Sequence, residues 1–179
     1  MLRQSLDRGF SLLETFVALV LVAIAATGLV VAFVGSTKFG VLARRQANAV
    51  ALARSVAGQL TRAPYTDTRL TNNNTQNDTT FADPNGLFSL PTLPTGNDAP
   101  DSSLGTFSVG SEQYDVYVNV APLMDPVNVT LEQGRQFAVI VRYQVGRRGT
   151  SNNDGTYMRA VVLGYRYNPA NVGVGQLPI

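Results

Sequence analysis

The chain has 179 residues, with fourteen lysine or arginine against twelve acidic side chains, so it is close to neutral and long enough for one domain beyond any membrane segment. It contains no histidine and no cysteine, which excludes a histidine-based catalytic triad, a histidine or thiolate metal centre and a disulfide framework. Compartment therefore has to be read from something other than thiol chemistry.

In chain order, a short polar stretch from Met1 to Arg8 carries Arg3 and Arg8 and is followed by Gly9-Phe10-Ser11-Leu12-Leu13-Glu14. From there to Lys38 the only charged side chain is Glu14. About 20 apolar residues suffice to cross a bilayer as a helix, so a carboxylate near the entrance requires a reason. Ser11-Leu12-Leu13-Glu14 fits a capping box, in which hydroxyl and carboxylate satisfy the orphan amides of a helix start. An ordinary secretory signal would use Arg3 and Arg8 as its basic head and Ala23-Ile24-Ala25 as its cleavage site. That reading leaves Glu14 inside the apolar middle and the apolar run continuing past the cut, through Thr27 to Val34.

Taken together, the basic leader, the glycine, the phenylalanine, the carboxylate four residues on and the spanning helix resemble the class III signal of type IV pilins and pseudopilins. The resemblance covers Arg8 to about Leu60 and is most specific over Gly9 to Val20, where it looks most like minor pilins and minor pseudopilins. It implies cleavage by a prepilin peptidase between Gly9 and Phe10, N-methylation of Phe10, and pairing of Glu14 with the terminal amine of a neighbouring subunit during assembly. Capping and reaching to the headgroups remain open as alternative roles for Glu14. The expected function is that of a minor pilin that helps initiate, cap or stabilise a type IV pilus. The alternatives are a minor pseudopilin of a type II secretion system and a singly anchored adhesin or DNA-binding module. Expected partners are the prepilin peptidase, other major and minor pilins or pseudopilins, an inner-membrane assembly platform and the membrane itself. The resemblance places the chain in a bacterial inner membrane with its carboxy-terminal domain in the periplasm, and afterwards in a pilus or pseudopilus. Lys38, Arg44 and Arg45 outnumber Arg3 and Arg8, so basic-residue bias alone favours the opposite insertion, and the leader decides the orientation instead.

These features divide the chain into a leader (1–9), a membrane or filament-core helix (10–37), an amphipathic continuation (38–63), a loop-rich connection (64–105) and a sheet-forming head (106–179). Helical periodicity persists beyond the apolar run, with Phe39, Leu42, Ala49, Ala53, Val56 and Leu60 on one side and Arg44, Asn48, Ser55, Gln59 and Arg62 on another. Gln46 interrupts the apolar line. The helix is expected to stop at Ala63-Pro64, because a residue before proline is biased away from helical angles. Unbroken from Phe10 to Arg62, it would measure about 80 Å.

Between Tyr65 and Gly105 uncharged polar residues dominate, with Phe81, Leu87, Phe88, Leu90 and Leu93 as anchors for parts of a long connection. Asp78, Asp83, Asp98 and Asp101 do not follow a calcium-loop spacing and read as solvated turn residues. Three glycosylation triplets, starting at Asn73, Asn77 and Asn128, read as chance in an Asn- and Thr-rich chain.

After Gly105 the pattern turns to strands. Tyr114, Val116, Val118 and Val120 alternate with Asp115, Tyr117 and Asn119; 137–145 and 157–167 are rich in branched and aromatic residues, and 106–109 suits a shorter strand. The expected fold class is α+β, a long helix packed on an antiparallel sheet of about four strands. Arg142, Arg147, Arg148, Arg159 and Arg166 read as scattered solvated arginines, with a patch for nucleic acid as the rival. No nucleophile elbow or phosphate loop is present, so neither catalysis, a cofactor nor a metal is expected.

Overall fold

The computed structural model describes residues 12–79, 81–83, 86–147 and 155–170. Its architecture is α+β: one long helix, α1 (Leu12–Arg62), is followed by a loop-rich connection and by four strands, β1 (Ser102–Val109), β2 (Glu112–Met124), β3 (Glu132–Arg147) and β4 (Gly155–Tyr167). The strands form one antiparallel sheet in the order β1-β2-β3-β4. The chain separates into two compact units, residues 1–43 and 44–179.

Within the second unit, residues 44–62 of α1 are built largely from good helix formers. Ala49, Ala53, Val56, Ala57 and Leu60 are its buried residues, and their spacing draws a single stripe along the helix. The helix ends at Arg62, where Ala63 N donates to Leu60 O at 3.2 Å and Pro64 can donate nothing further. The expected terminus is thus the observed one.

β1 and β2 are joined by the two-residue turn Gly110-Ser111, with Val109 paired to Glu112 and Gly110 at φ +63, as short hairpin turns demand. Tyr114, Val116, Val118 and Val120 of β2, with Phe137, Val139, Val141 and Tyr143 of β3, form one buried cluster with the stripe of α1 and with Leu70. Gly164 of β4 lies opposite Phe137, and a Cβ on it would stand 2.3 Å from Phe137 Cζ. Glycine is needed there so that the ring can lie flat on the neighbouring strand.

The other face of the sheet is also covered. Tyr117, Ala138 and Ile140 are buried with Phe88, and Phe81, Ala82 and Val161 pack around them. Phe88 lies 5.4 Å from the Tyr117 ring in a tilted arrangement. Of the expected anchors, Phe81 and Phe88 do hold the connection to the sheet, whereas Leu90 and Leu93 remain exposed. Residues 116–121 consequently form an unbroken buried run rather than the half-solvated alternation read from the sequence.

Candidate membrane and assembly segment

The apolar part of α1 begins at Leu12, the first described residue, and carries Glu14 in its first turn. Gly9, Phe10 and the Ser11 hydroxyl of the capping box lie outside the described residues. Leu12, Leu13, Phe16, Leu19, Leu21, Val22, Ile24, Leu29, Val30, Val31 and Phe33 are all exposed large hydrophobics. The stretch is long and apolar enough to cross a membrane, and none of its most apolar window is covered by protein.

Two of its hydroxyls are satisfied within the helix. Thr27 Oγ1 donates to Ala23 O and Thr37 Oγ1 to Val34 O, each at 2.9 Å. Both hydroxyls are thereby paired without water, the condition for placing them in hydrocarbon. The helix runs through Gly28, Gly35 and Gly40 without interruption, so these residues do not break it.

In the second unit, two polar clusters tie α1 and the segment just after it to opposite ends of the sheet. At the end where the helix enters, Arg45 Nη2 meets Glu112 Oε1 at 2.6 Å and Arg45 Nη1 donates to Gln144 O at 3.2 Å. Gln46 accepts a hydrogen bond from the Tyr143 hydroxyl, which explains its interruption of the apolar line. Beyond the end of the helix, Tyr65 donates to Glu132 Oε1 at 2.7 Å, and Arg135 pairs with the same carboxylate at 2.9 Å while its guanidinium lies 4.6 Å over the Tyr65 ring. Burial, reinforced by the Glu132 hydrogen bond and charge, pushes the Tyr65 phenol up to about 12.

The acidic residues and arginines of the head correct two expectations. Asp83 and Asp101 are buried rather than solvated. Asp83 accepts the Leu87 and Phe88 amides at 2.7 and 3.0 Å and meets Arg159 Nε at 2.9 Å. Asp101 accepts Asn73 N and Asn74 N, both at 2.6 Å, on one oxygen and Val120 N at 2.7 Å on the other. Nor are Arg142 and Arg159 scattered in solvent. Arg142 is buried against the Tyr157 ring, 3.7 Å from its centre, and donates to Leu90 O and Pro91 O at 2.5 and 2.7 Å. Arg159 also donates to Ser89 Oγ at 2.7 Å. Both guanidinium groups hold Asp83, Ser89, Leu90 and Pro91 to the sheet. Arg148 lies outside the described residues.

Sequence reasoning missed Asp83 and Asp101 as structural acceptors. The available signal was the Asp83-Pro84-Asn85-Gly86 turn string and the place of Asp101 immediately before a strand. Among the described residues no group of three or more metal-ligating side chains comes together. No family model, curated protein or solved structure matches this chain. The layout itself is pilin-like, a long amino-terminal helix followed by an antiparallel sheet on which its second half packs.

Proposed function

We propose that this chain is a minor pilin, a structural subunit that is anchored by the apolar part of α1 and then joins related subunits to initiate, cap or stabilise a type IV pilus. The observation that supports this reading most directly is the pairing of an apolar helix bare of protein with a head whose core is closed on both faces. A segment carrying that many exposed leucines, valines and phenylalanines requires lipid or other apolar helices around it, because each such side chain gains about 1.5–3 kcal/mol on leaving water.

Cleavage between Gly9 and Phe10 would free an amine that is methylated, and Glu14 is the only charged side chain of the span able to meet such an amine on a neighbour. Two opposite charges about 4 Å apart at an effective dielectric near 20 attract by about 4 kcal/mol, enough to select a register between otherwise similar rods. The work of the protein is then polymerisation rather than turnover. The same layout would serve a pseudopilus of a secretion machine, and loss of pili against loss of exoprotein secretion in a deletion strain separates the two.

The first test is the amino terminus of the membrane-extracted protein, expected at methylated Phe10; a terminus just after Ala25 would mean an ordinary exported domain. Glu14→Ala should still be processed but should drop out of sheared filaments by tenfold or more. Undiminished incorporation would remove the charge-pairing role.

A further inference from the structure

The head carries three Asn-X-Thr triplets, and the fold treats them differently. Asn73 Nδ2 donates to Asp101 O at 3.0 Å, and buried Asn77 donates its Nδ2 to Ala99 O at 2.7 Å. Both nitrogens are committed to closing the polar connection. Asn128 stands on the β2–β3 connection, exposed, and its Nδ2 makes no hydrogen bond to the described residues, whereas its Oδ1 accepts from Thr130 N at 3.2 Å and from Thr130 Oγ1 at 2.7 Å.

We propose that Asn128 is an N-glycosylation site that accepts a sugar from a polyprenyl-pyrophosphate-linked glycosyl donor. An amide nitrogen is a poor nucleophile because its lone pair is delocalised into the carbonyl. The Thr130 hydroxyl, hydrogen-bonded to that carbonyl oxygen at 2.7 Å, would stabilise the negative charge that builds there as Nδ2 loses a proton. In the transfer, the Nδ2–C1 bond forms and the bond from C1 to the pyrophosphate oxygen breaks. Pyrophosphate leaves with the electron pair on its lipid, and the Nδ2 proton passes to a base of the transferase.

The acceptor is presented ready-made. Asp125 Oδ1 takes the Val127 and Asn128 amides at 2.7 and 2.9 Å, Leu131 N donates to Asn128 O at 2.9 Å, and Asp125 N returns to Leu131 O at 2.9 Å. Binding therefore does not have to order the loop. The flanking Val127 and Val129 are 94% and 73% exposed, an apolar pair held in water that a glycan rooted between them would cover. The connection also lies at the end of the sheet opposite the Arg45–Glu112 pair where α1 enters, so a bulky adduct there is clear of that helix entry.

The inference rests on the head being exported, as in the proposed function, because lipid-linked donors of this kind act outside the cytoplasm. The test is mass spectrometry of the Asp125–Arg135 peptide cut from the full chain isolated from its native membranes. A mass increment of one or more sugar residues at Asn128 is expected, with the peptides holding Asn73 and Asn77 unmodified. Asn128→Gln and Thr130→Ala should abolish the increment and Thr130→Ser should retain it. In the cysteine-free background, Asn128→Cys reports the position of the loop through reaction with a membrane-impermeant maleimide on intact or osmotically opened cells. An unmodified peptide together with a labelled cysteine overturns the glycan site while leaving the exported head standing, and leaves Val127 and Val129 as a protein contact. An unmodified peptide with a cysteine that is protected until the inner membrane is opened overturns both.

Discussion

Asp101→Ala tests the claim that one buried carboxylate organises the connection between helix and sheet. In the parent, Oδ1 serves the Asn73 and Asn74 amides and Oδ2 serves the Val120 amide, while Asp101 N donates to Asn119 Oδ1 at 3.1 Å. Val120 is fully buried, so its orphaned N–H bears the full desolvation cost, about 1–3 kcal/mol. Asn73 is exposed and Asn74 half-buried, so their amides regain water and lose only the net worth of a hydrogen bond to a charged group, about 1 kcal/mol each after that compensation. The sum is about 3–5 kcal/mol, a large part of the roughly 5–15 kcal/mol that holds a domain together. Asp101→Asn keeps an oxygen for the two asparagine amides but turns an NH2 toward Val120 N–H, and should cost about 2 kcal/mol. The measurement is denaturant unfolding of the full chain in detergent, followed by near-ultraviolet tyrosine signals since there is no tryptophan, with hydrogen exchange at the Val120 amide as the local readout. An alanine variant within about 0.5 kcal/mol of the parent, with Val120 still protected, would refute the reasoning.

Gly164→Ala places a methyl 2.3 and 2.5 Å from two atoms of the fully buried Phe137 ring and should destabilise the head by about 1–3 kcal/mol; combining it with Phe137→Leu should recover part of the loss, and additive costs in that double-mutant cycle would disprove the contact. Tyr65 should titrate near pH 12 in phenolate absorbance instead of near 10. Its folded value is raised, so the neutral form is favoured in the fold and the associated stability is complete below pH 10 and is lost as pH rises through about 12. Tyr65→Phe should remove that alkaline component and leave stability at pH 10–12 flatter. A parent whose unfolding midpoint is already insensitive to that interval would contradict the assignment.

What could be read from the sequence was whatever carries a period or a long uniform run. The apolar segment, the Ala49-Ala53-Val56-Leu60 stripe, the stop at Pro64 and the strands all announce themselves through spacing that a helix or a pleat imposes locally. Phe39 extends the stripe on paper but is exposed, because the buried stripe begins only at Ala49. The second covered face of the sheet was illegible for a different reason. Tyr117 and Asn119 look like a solvent face, and their burial depends on Phe88 and Phe81, brought in from a connection that has no period of its own. Asp83 and Arg159 are 76 residues apart, and each looks like a solvated charge until the other is in place. A turn string can mark Asp83 locally, but nothing near it in sequence names the distant arginine that pairs with it.

On the proposed reading, the driving force for assembly cannot be hydrophobic in the ordinary sense. Moving the apolar part of α1 from a bilayer into a bundle of like helices exchanges one hydrocarbon environment for another, so the burial that fixes the segment in lipid contributes almost nothing to its extraction. What remains to favour the filament is close packing, for which Ala23, Ala25, Ala26 and Gly28 present a small-residue surface, and the neutralisation of a charge that lipid tolerates poorly. Glu14 then acts on the assembled state, whose energy its pairing with a neighbour's amine lowers. A neutral isostere, Glu14→Gln, removes that gain while keeping size and helix propensity, and should therefore leave the subunit less abundant in the fibre. The ratio of membrane to filament protein measures that shift directly. An unchanged ratio would place the selectivity in the small-residue packing alone.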